Sequence, residues 1–151
     1  MSSRIAGTIV MMGTLAASSA MGGNSRFSCP LSPVEYGAPD GYPDDTGLVF
    51  WWYVSADREI WAAAANMEAG DNKVPWIRPK GTKLQVTARR LDAQSPSGVA
   101  SIPDGYSGRF QASALSFPAE GCWEVTAKSG TSELTFVTLV RKALPGTGDA
   151  T

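Results

Sequence analysis

The residues available for chemistry are mainly carboxylates, because the 151-residue chain has no histidine and only two cysteines. Without an imidazole, neither a Ser-His-Asp nor a Cys-His catalytic arrangement can be formed. Zinc or copper sites that depend on imidazole ligands are excluded for the same reason. Calcium bound by the oxygens of Asp44-Asp45 or Asp71-Asn72 is a minor alternative, since no loop has the EF-hand spacing. We expect no metal site and no other cofactor, and no residue type or spacing identifies a catalytic residue.

Acidic side chains support the one enzymatic alternative. A glycosidase-like hydrolase needs two carboxyl groups at a defined separation, one of them kept protonated by its surroundings. Most acids in this chain lie beside turn residues, where solvated surface charges are the usual outcome, and no spacing singles out a pair. A carboxylate-dependent hydrolase therefore stays an alternative, which two acids converging beside Trp61 or Trp76 would favour.

The two cysteines predict a disulfide bond between Cys29 and Cys122. The chain begins with the plan of an export signal: the basic residue Arg4, an uncharged apolar run over residues 5–17, and small residues at 18–20 before a cleavage point. Exported chains fold in oxidising compartments, where two cysteines usually pair. Two unrelated buried thiols are the alternative.

The same signal predicts an extracytoplasmic location, which includes the periplasm, the cell surface and the secreted state. The apolar run is too short and too rich in Gly, Thr and Ser for a bilayer span, so the mature form should have none. A buried first element of the domain and a retained membrane anchor are the alternatives. The net charge of −1, with scattered basic residues, predicts no binding of nucleic acid.

Aromatic side chains give the better indication of a binding site, since the chain contains five tryptophans. Neighbouring residues of a strand point to opposite faces, so Trp51 and Tyr53 share one face of a predicted strand and Trp52 lies on the other. One face should meet the core, and the other should be exposed or covered by the preceding segment. Exposed indoles stack on sugar rings or anchor a protein partner.

The candidate binding surface consists of Trp52, Trp61 and Trp76, whereas Trp123 is expected in the core near the disulfide bond. If the surface is exposed, alanine at Trp52 or Trp76 should spare folding and abolish any glycan retention. The alternative is that these indoles are all buried, because aromatic residues supply much of the core of a small domain.

The segments that must position these residues read as short strands between turns rich in Gly and Pro. Strict alternation predicts a strand within residues 82–91 and a hairpin formed by residues 121–128 and 132–140. Pro75 lacks an N–H group and should keep its short strand at a sheet edge. Further strands are expected over residues 48–54, 58–63, 73–78 and 110–117. About seven strands without a long helix predict an all-β, antiparallel immunoglobulin-like β-sandwich.

The length fits a single domain with a leader, an arm and a tail. The arm is rich in Pro and Gly, so it should be extended, lie along the domain and be tethered by Cys29. The tail is polar and should be disordered. The predicted boundaries are 1–20 for the signal peptide, 21–47 for the arm, 48–141 for the β-sandwich and 142–151 for the tail.

Several motifs resemble a family of uncharacterised bacterial exported single-domain proteins, over roughly residues 29–140. The motifs are Cys29-Pro30, the Trp-rich middle, the segment from Leu84 to Asp92, the Phe-Gln-x-Ser-x-Leu-x-Phe-Pro segment at 110–118, Gly-Cys-Trp-Glu-Val-Thr at 121–126 and Leu-Thr-Phe-Val at 134–137. The resemblance implies one exported β-sandwich domain. It implies no activity and no catalytic residue.

These observations favour a non-catalytic binding or interaction module at the cell envelope or outside the cell. Its ligand is expected to be a protein partner first and a glycan second. The main alternative is a structural subunit of an envelope or extracellular assembly, in which strand 48–54 and arm 21–47 pair with neighbouring copies. Self-association is therefore possible, and an uncovered edge strand would favour it.

Overall fold

A computed structural model describes residues 26–145 of the chain. The predicted signal peptide, the first residues of the predicted arm and residues 146–151 of the predicted tail lie outside this range. Within it the protein contains β-strands and one short 3₁₀ turn at Asp44–Thr46, and no α-helix is present there. Among these residues, no helix is long and apolar enough to cross a bilayer.

The strands form two antiparallel sheets. The larger sheet has six strands in the order β1-β2-β3-β4-β7-β6, and the smaller has three in the order β5-β8-β9. The all-β antiparallel prediction is confirmed, and two sheets packed on each other fit a sandwich. The strands in chain order are β1 (Glu35–Gly37), β2 (Phe50–Val54), β3 (Trp61–Ala62), β4 (Gly70–Ile77), β5 (Leu84–Arg90), β6 (Val99–Ser101), β7 (Phe110–Phe117), β8 (Gly121–Ser129) and β9 (Ser132–Val140).

The core lies between the two sheets, and the long strands β7, β8 and β9 alternate buried residues with more exposed ones. On β8, Trp123, Val125 and Ala127 are buried, while the residues between them are only partly buried. Across the core, Tyr53 of β2 stacks on Phe136 of β9, with ring centroids 4.1 Å apart. Each such large apolar side chain stabilises the fold by about 1.5–3 kcal/mol when fully buried.

Both edges of the smaller sheet are covered by passing chain. Ser32 of the arm runs beside β9, where its N–H donates to the Val137 carbonyl at 3.0 Å and its hydroxyl accepts the Val137 N–H at 2.9 Å. On the opposite edge, the Gly98 N–H donates to the Ala88 carbonyl at 2.9 Å. A Cβ at Gly98 would lie only 2.9 Å from the Ala88 Cβ, so only glycine fits this crossing.

The predicted edge position of Pro75 is wrong, since β4 pairs with β3 on one side and with β7 on the other. Pro75 is tolerated because its carbonyl faces the side of β3, where it accepts the Ala63 N–H at 3.0 Å. In an antiparallel pair, the N and O atoms of one residue point to the same side. The N–H that Pro75 lacks would therefore point to a position beyond the end of the two-residue strand β3.

The predicted disulfide bond between Cys29 and Cys122 is confirmed. Cys122 lies on the outer face of the smaller sheet, next to the inward-facing Trp123, and the arm covers it. The bond joins residues 93 positions apart, and the chain-entropy model gives about 4.6 kcal/mol of stabilisation for a loop of that length. The arm is thus anchored to β8 by sulfur, to β9 by Ser32 and to β2 by β1.

Candidate binding surfaces

The structure buries all three residues of the predicted binding surface, Trp52, Trp61 and Trp76. They offer no ring face to solvent, so the alternative prediction, that these indoles are buried, applies to them. The expectation that alanine at Trp52 or Trp76 would spare folding does not fit the structure. The physical reason is that both faces of the larger sheet are covered at these positions. The inner face meets the smaller sheet, and part of the outer face meets the arm.

Trp76 belongs to the core between the sheets, together with Trp123, as predicted for the latter. The Trp76 indole N–H donates to the buried Ser113 hydroxyl at 2.8 Å. The Trp123 indole N–H donates to the Ala119 carbonyl at 3.1 Å. Because both rings are enclosed and both donors are satisfied, these two indoles stabilise the fold.

Trp52 and Trp61 form a separate cluster with Ile77 on the outer face of the larger sheet. Their rings meet edge to face, with centroids 6.3 Å apart. The Trp52 indole N–H donates to the Gly37 carbonyl, and the Trp61 indole N–H donates to the Arg58 carbonyl, each at 2.8 Å. This cluster is the part of the predicted surface that lies outside the core between the sheets.

The segment that covers this outer cluster is the connection between β1 and β2, residues 38–49, which we name the cover loop. Tyr42 and Leu48 of the cover loop pack against the cluster. Gly37 and Phe50, which flank the loop, lie directly opposite each other in the β1–β2 pairing. A turn of two residues would be enough to join strands in that register. The cover loop is much longer than this, and it crosses the outer face over the tryptophan cluster.

Arg58 connects the cover loop to the body of the protein. Its guanidinium binds Glu35 at 3.0 Å and Asp40 at 2.6 Å, and it lies 4.7 Å above the Trp61 ring. Arg58 has a φ of 58°, the one positive φ outside glycine in the described part of the chain. Such a conformation costs about 1–3 kcal/mol and is typical of residues held by surrounding contacts.

Tyr36 and Trp51 are two of the exposed aromatic side chains, and they lie opposite each other on β1 and β2. Tyr36 is 64% exposed and Trp51 is 50% exposed, and their ring centroids are 4.9 Å apart. They share the face of the buried Tyr53, but the larger sheet has twice as many strands as the smaller one. The pair therefore lies beyond the end of the core, at the edge of the larger sheet that β1 forms.

The sequence does not identify Tyr36 as part of a strand, because β1 has only three residues, follows a proline-rich segment and ends in a glycine. Trp51 was assigned to a face, yet the sequence does not say how far the opposite sheet extends. The one available signal was that Trp51 and Trp52 must diverge, since adjacent strand residues point to opposite faces. The pairing of Tyr36 with Trp51 is what makes the two side chains a continuous surface.

Two carboxylates do converge beside Trp61, which is the arrangement expected of the hydrolase alternative. They belong to Glu35 and Asp40, whose side chains are 53% and 56% exposed. The hydrogen bond from Arg58 holds the pKa of Asp40 below its usual value, so this carboxyl stays ionised. A general acid needs the opposite environment, because burial must raise its pKa.

Two further acids, Asp57 and Asp92, are also unsuited to act as a general acid. Hydrogen bonds from Ser55 and Ser132 lower the pKa of Asp57. The pKa of Asp92 is also lowered, since burial, which raises it, is outweighed by bonds that include one from Arg90. Within residues 26–145, no group of three or more metal-binding side chains could hold a metal ion.

A polar trough of about 480 Å³ runs along the outer face of the smaller sheet. Its charges are already paired, with Arg89 bound to Glu124 at 2.7 Å and Lys128 to Glu133 at 3.5 Å. Thr126 and Thr135 hydrogen-bond each other at 3.1 Å. Because its charged side chains already have partners of opposite charge, the trough has little to offer a charged ligand.

Comparison with protein-family models and with curated proteins gives no relative. No protein-family model matches the chain. No curated protein matches it either. The resemblance described above to a family of exported proteins therefore stays a prediction, and functional inference depends on the geometry.

Proposed function

We propose that this protein is a non-catalytic binding module that works outside the cytoplasm, and that the pair of Tyr36 and Trp51 contacts its partner. The observation that carries the proposal is that these two rings are exposed while the other four tryptophans are buried. Large aromatic side chains that become buried on association supply much of the energy of protein interfaces. Two such rings in contact on a sheet edge give a partner a ready anchor.

The fold supports the assignment to an immunoglobulin-like module. Constant-type immunoglobulin domains have sheets with strand orders A-B-E-D and C-F-G. If β3 is strand A, the orders β3-β4-β7-β6 and β5-β8-β9 correspond to these two sheets, and β1 and β2 extend the first one. The disulfide bond differs, since it ties β8 to the arm and does not join the two sheets.

The location outside the cytoplasm is supported by the disulfide bond and by the export-signal pattern of residues 1–20. Disulfide bonds persist in oxidising compartments and are rare where glutathione keeps thiols reduced. Both cysteines of the chain take part in the bond, so no free thiol remains. A periplasmic, cell-surface or secreted protein fits these observations.

A protein partner fits the exposed pair better than a glycan does. The two rings are tilted by 49°, so they form a wedge and not the flat platform on which a sugar ring stacks. β1 also stands at the edge of its sheet, where its outer backbone groups can pair with an extended segment. The same free edge supports the second candidate, a structural subunit in which copies pair through β1.

Site-specific photo-crosslinking tests this proposal. A photoreactive aromatic amino acid replaces Trp51 in the exported protein, and the matched control carries it at Thr135, an exposed residue on the outer face of the smaller sheet. We expect crosslinks to one protein from position 51 and not from position 135. Crosslinks between copies from position 51 would favour the structural subunit.

The glycan alternative has its own outcome. If position 51 gives no crosslink, and immobilised envelope polysaccharide retains the natural protein but not the Trp51→Ala variant, the ligand is a glycan. If neither result is obtained, or if both positions crosslink the same proteins equally, the pair is not a binding surface and the proposal fails.

A further inference from the structure

The cover loop is fixed to the rest of the protein by very few polar contacts. Among the described residues, its hydrogen bonds to the body all end on Asp40, whose carboxylate binds Arg58 and whose carbonyl accepts from Arg109 at 3.4 Å. The remaining hydrogen bonds of the loop are internal, from the Tyr42 N–H to the Pro39 carbonyl and from both the N–H and the hydroxyl of Thr46 to the Pro43 carbonyl. These internal bonds stay intact if the loop lifts as a unit.

The surface under the cover loop has the composition of a binding site. Trp52, Trp61 and Ile77 supply an apolar floor, and Arg58 lies above the Trp61 ring. Arg109 adds a second cation near Asp40 and binds Glu59 at 3.5 Å. An aromatic floor with a few polar groups at its rim is the usual composition of a ligand site.

We propose that the cover loop occupies a second binding site, and that a β-turn segment of a partner protein displaces it. The loop itself shows the chemistry that fits: a turn closed by the Tyr42 N–H on the Pro39 carbonyl, with the Asp40 carboxylate on Arg58 and the Tyr42 ring on the tryptophan cluster. The partner segment therefore carries an acidic residue followed two positions later by an aromatic one. This inference does not rest on the Tyr36–Trp51 surface, which lies on the other face of the sheet.

The strength of the contacts makes displacement feasible. Exposed ion pairs contribute little to stability, and the carboxylate of Asp40 is more than half exposed. Arg58 keeps Glu35 as a partner when Asp40 leaves, so the guanidinium charge is not left unpaired. The partner then restores a carboxylate and an aromatic contact at the positions that the loop vacates.

Exchange of the indole N–H protons with solvent tests the opening of the loop. Asp40→Asn should speed exchange at Trp52 and Trp61 by up to about fivefold, because it removes the charge pair that fixes the loop. The matched control is Asp45→Asn, which removes the same charge from a residue of the loop that makes no contact to the body among the described residues. Trp76 and Trp123, between the sheets, serve as internal controls and should not change.

Binding of a synthetic peptide tests the site itself. The probe is the capped peptide Ala-Pro-Asp-Gly-Tyr-Pro, which copies residues 38–43. It should bind Asp40→Asn about fivefold more tightly than the natural protein, because affinity rises with the fraction of open molecules. The same peptide with Asn in place of Asp should bind several-fold more weakly, since it lacks the charge that Arg58 holds.

Clear results would overturn the proposal. Equal acceleration at all buried indoles in Asp40→Asn would mean global destabilisation, and no acceleration at Trp52 and Trp61 would mean that Asp40 does not hold the loop. Equal binding of the Asp and Asn peptides, or no binding of either, would remove the site. If Asp40→Asn fails to fold, Tyr42→Ser should give the same selective acceleration by removing the apolar contact of the loop.

Discussion

The Ser132 hydroxyl donates a 2.7 Å hydrogen bond to the Asp57 carboxylate, across 75 positions of sequence. Asp57 also accepts the Ser55 hydroxyl at 2.6 Å and the Glu59 N–H at 3.1 Å. Its two oxygens thereby join the turn between β2 and β3 in one sheet to the start of β9 in the other. One carboxylate organises a turn and ties the two sheets together at the same time.

The first prediction concerns pH, because these hydrogen bonds favour the ionised form of Asp57 and lower its pKa. A carboxyl whose pKa is lower in the folded state stabilises the protein above its unfolded pKa of about 3.9 and loses that effect as the pH falls through the folded pKa. The free energy of unfolding in urea should therefore decrease from pH 5 to pH 3.

Asp57→Asn should flatten this pH dependence and lower stability at pH 5, since the amide lacks the charge that strengthens the three hydrogen bonds. Asp104→Asn is the control, because Asp104 makes no hydrogen bond or ion pair among residues 26–145, and it should keep the natural slope. An unchanged slope in Asp57→Asn would contradict the prediction.

The second prediction contrasts two adjacent tryptophans. Trp52→Ala should lower the free energy of unfolding by about 3–5 kcal/mol, because it leaves a cavity in the outer cluster. Trp51→Ala should change it by less than about 1 kcal/mol, since half of that side chain is already in water. Chemical denaturation of both variants measures the difference, and equal losses would mean that Trp51 is also part of the packed structure.

The third prediction concerns Arg78, a buried cation without a carboxylate partner in the described part of the protein. All of its N–H groups face neutral oxygens: the carbonyls of Tyr106, Gly108 and Pro79 and the Gln111 side chain. Arg78→Met leaves these oxygens unsatisfied, at about 1–3 kcal/mol for each one that water cannot reach.

We therefore expect Arg78→Met to lower the free energy of unfolding by about 2–4 kcal/mol and to loosen residues 103–109 in hydrogen exchange. Arg89→Met is the matched control, because that side chain is mostly exposed and pairs with Glu124 at the surface. It should cost at most about 1 kcal/mol. Equal effects of the two substitutions would contradict the structural role of Arg78.

The fourth prediction concerns the disulfide bond. The oxidised chain should be lighter than the reduced chain by a pair of hydrogens, and Cys29→Ser with Cys122→Ser should lower stability by about 4.6 kcal/mol or less. Limited proteolysis should then cut the arm before β1 first, because among the described residues it keeps only the bonds of Ser32, the packing of Val34 and the pairing of β1. Unchanged protection of the arm would show that sulfur is not needed to keep it in place.

The strands of the last part of the chain were predictable because their alternation is strict. β7 matches its predicted range of 110–117, and β8 and β9 extend the predicted hairpin by one residue at most. β1 and β6 were missed, since three residues are too few to show a period of two. β4 was predicted too short, because its start at Gly70 looks like a turn in sequence.

The candidate sites were only partly predictable. The sequence correctly separates Trp52 from Trp51 and Tyr53, because that follows from the geometry of one strand. It cannot say which face is covered, since the answer depends on the path of the cover loop and the width of the opposite sheet. Burial of Trp61 and Trp76 likewise follows from long-range contacts that leave no local signature.

The pairing of Ser32 with Val137 has a consequence for folding. The two residues are 105 positions apart, so the segment that contains Ser32 cannot dock until β9 has formed. Formation of this edge is therefore a late step in folding, with the slow kinetics typical of contacts between distant residues.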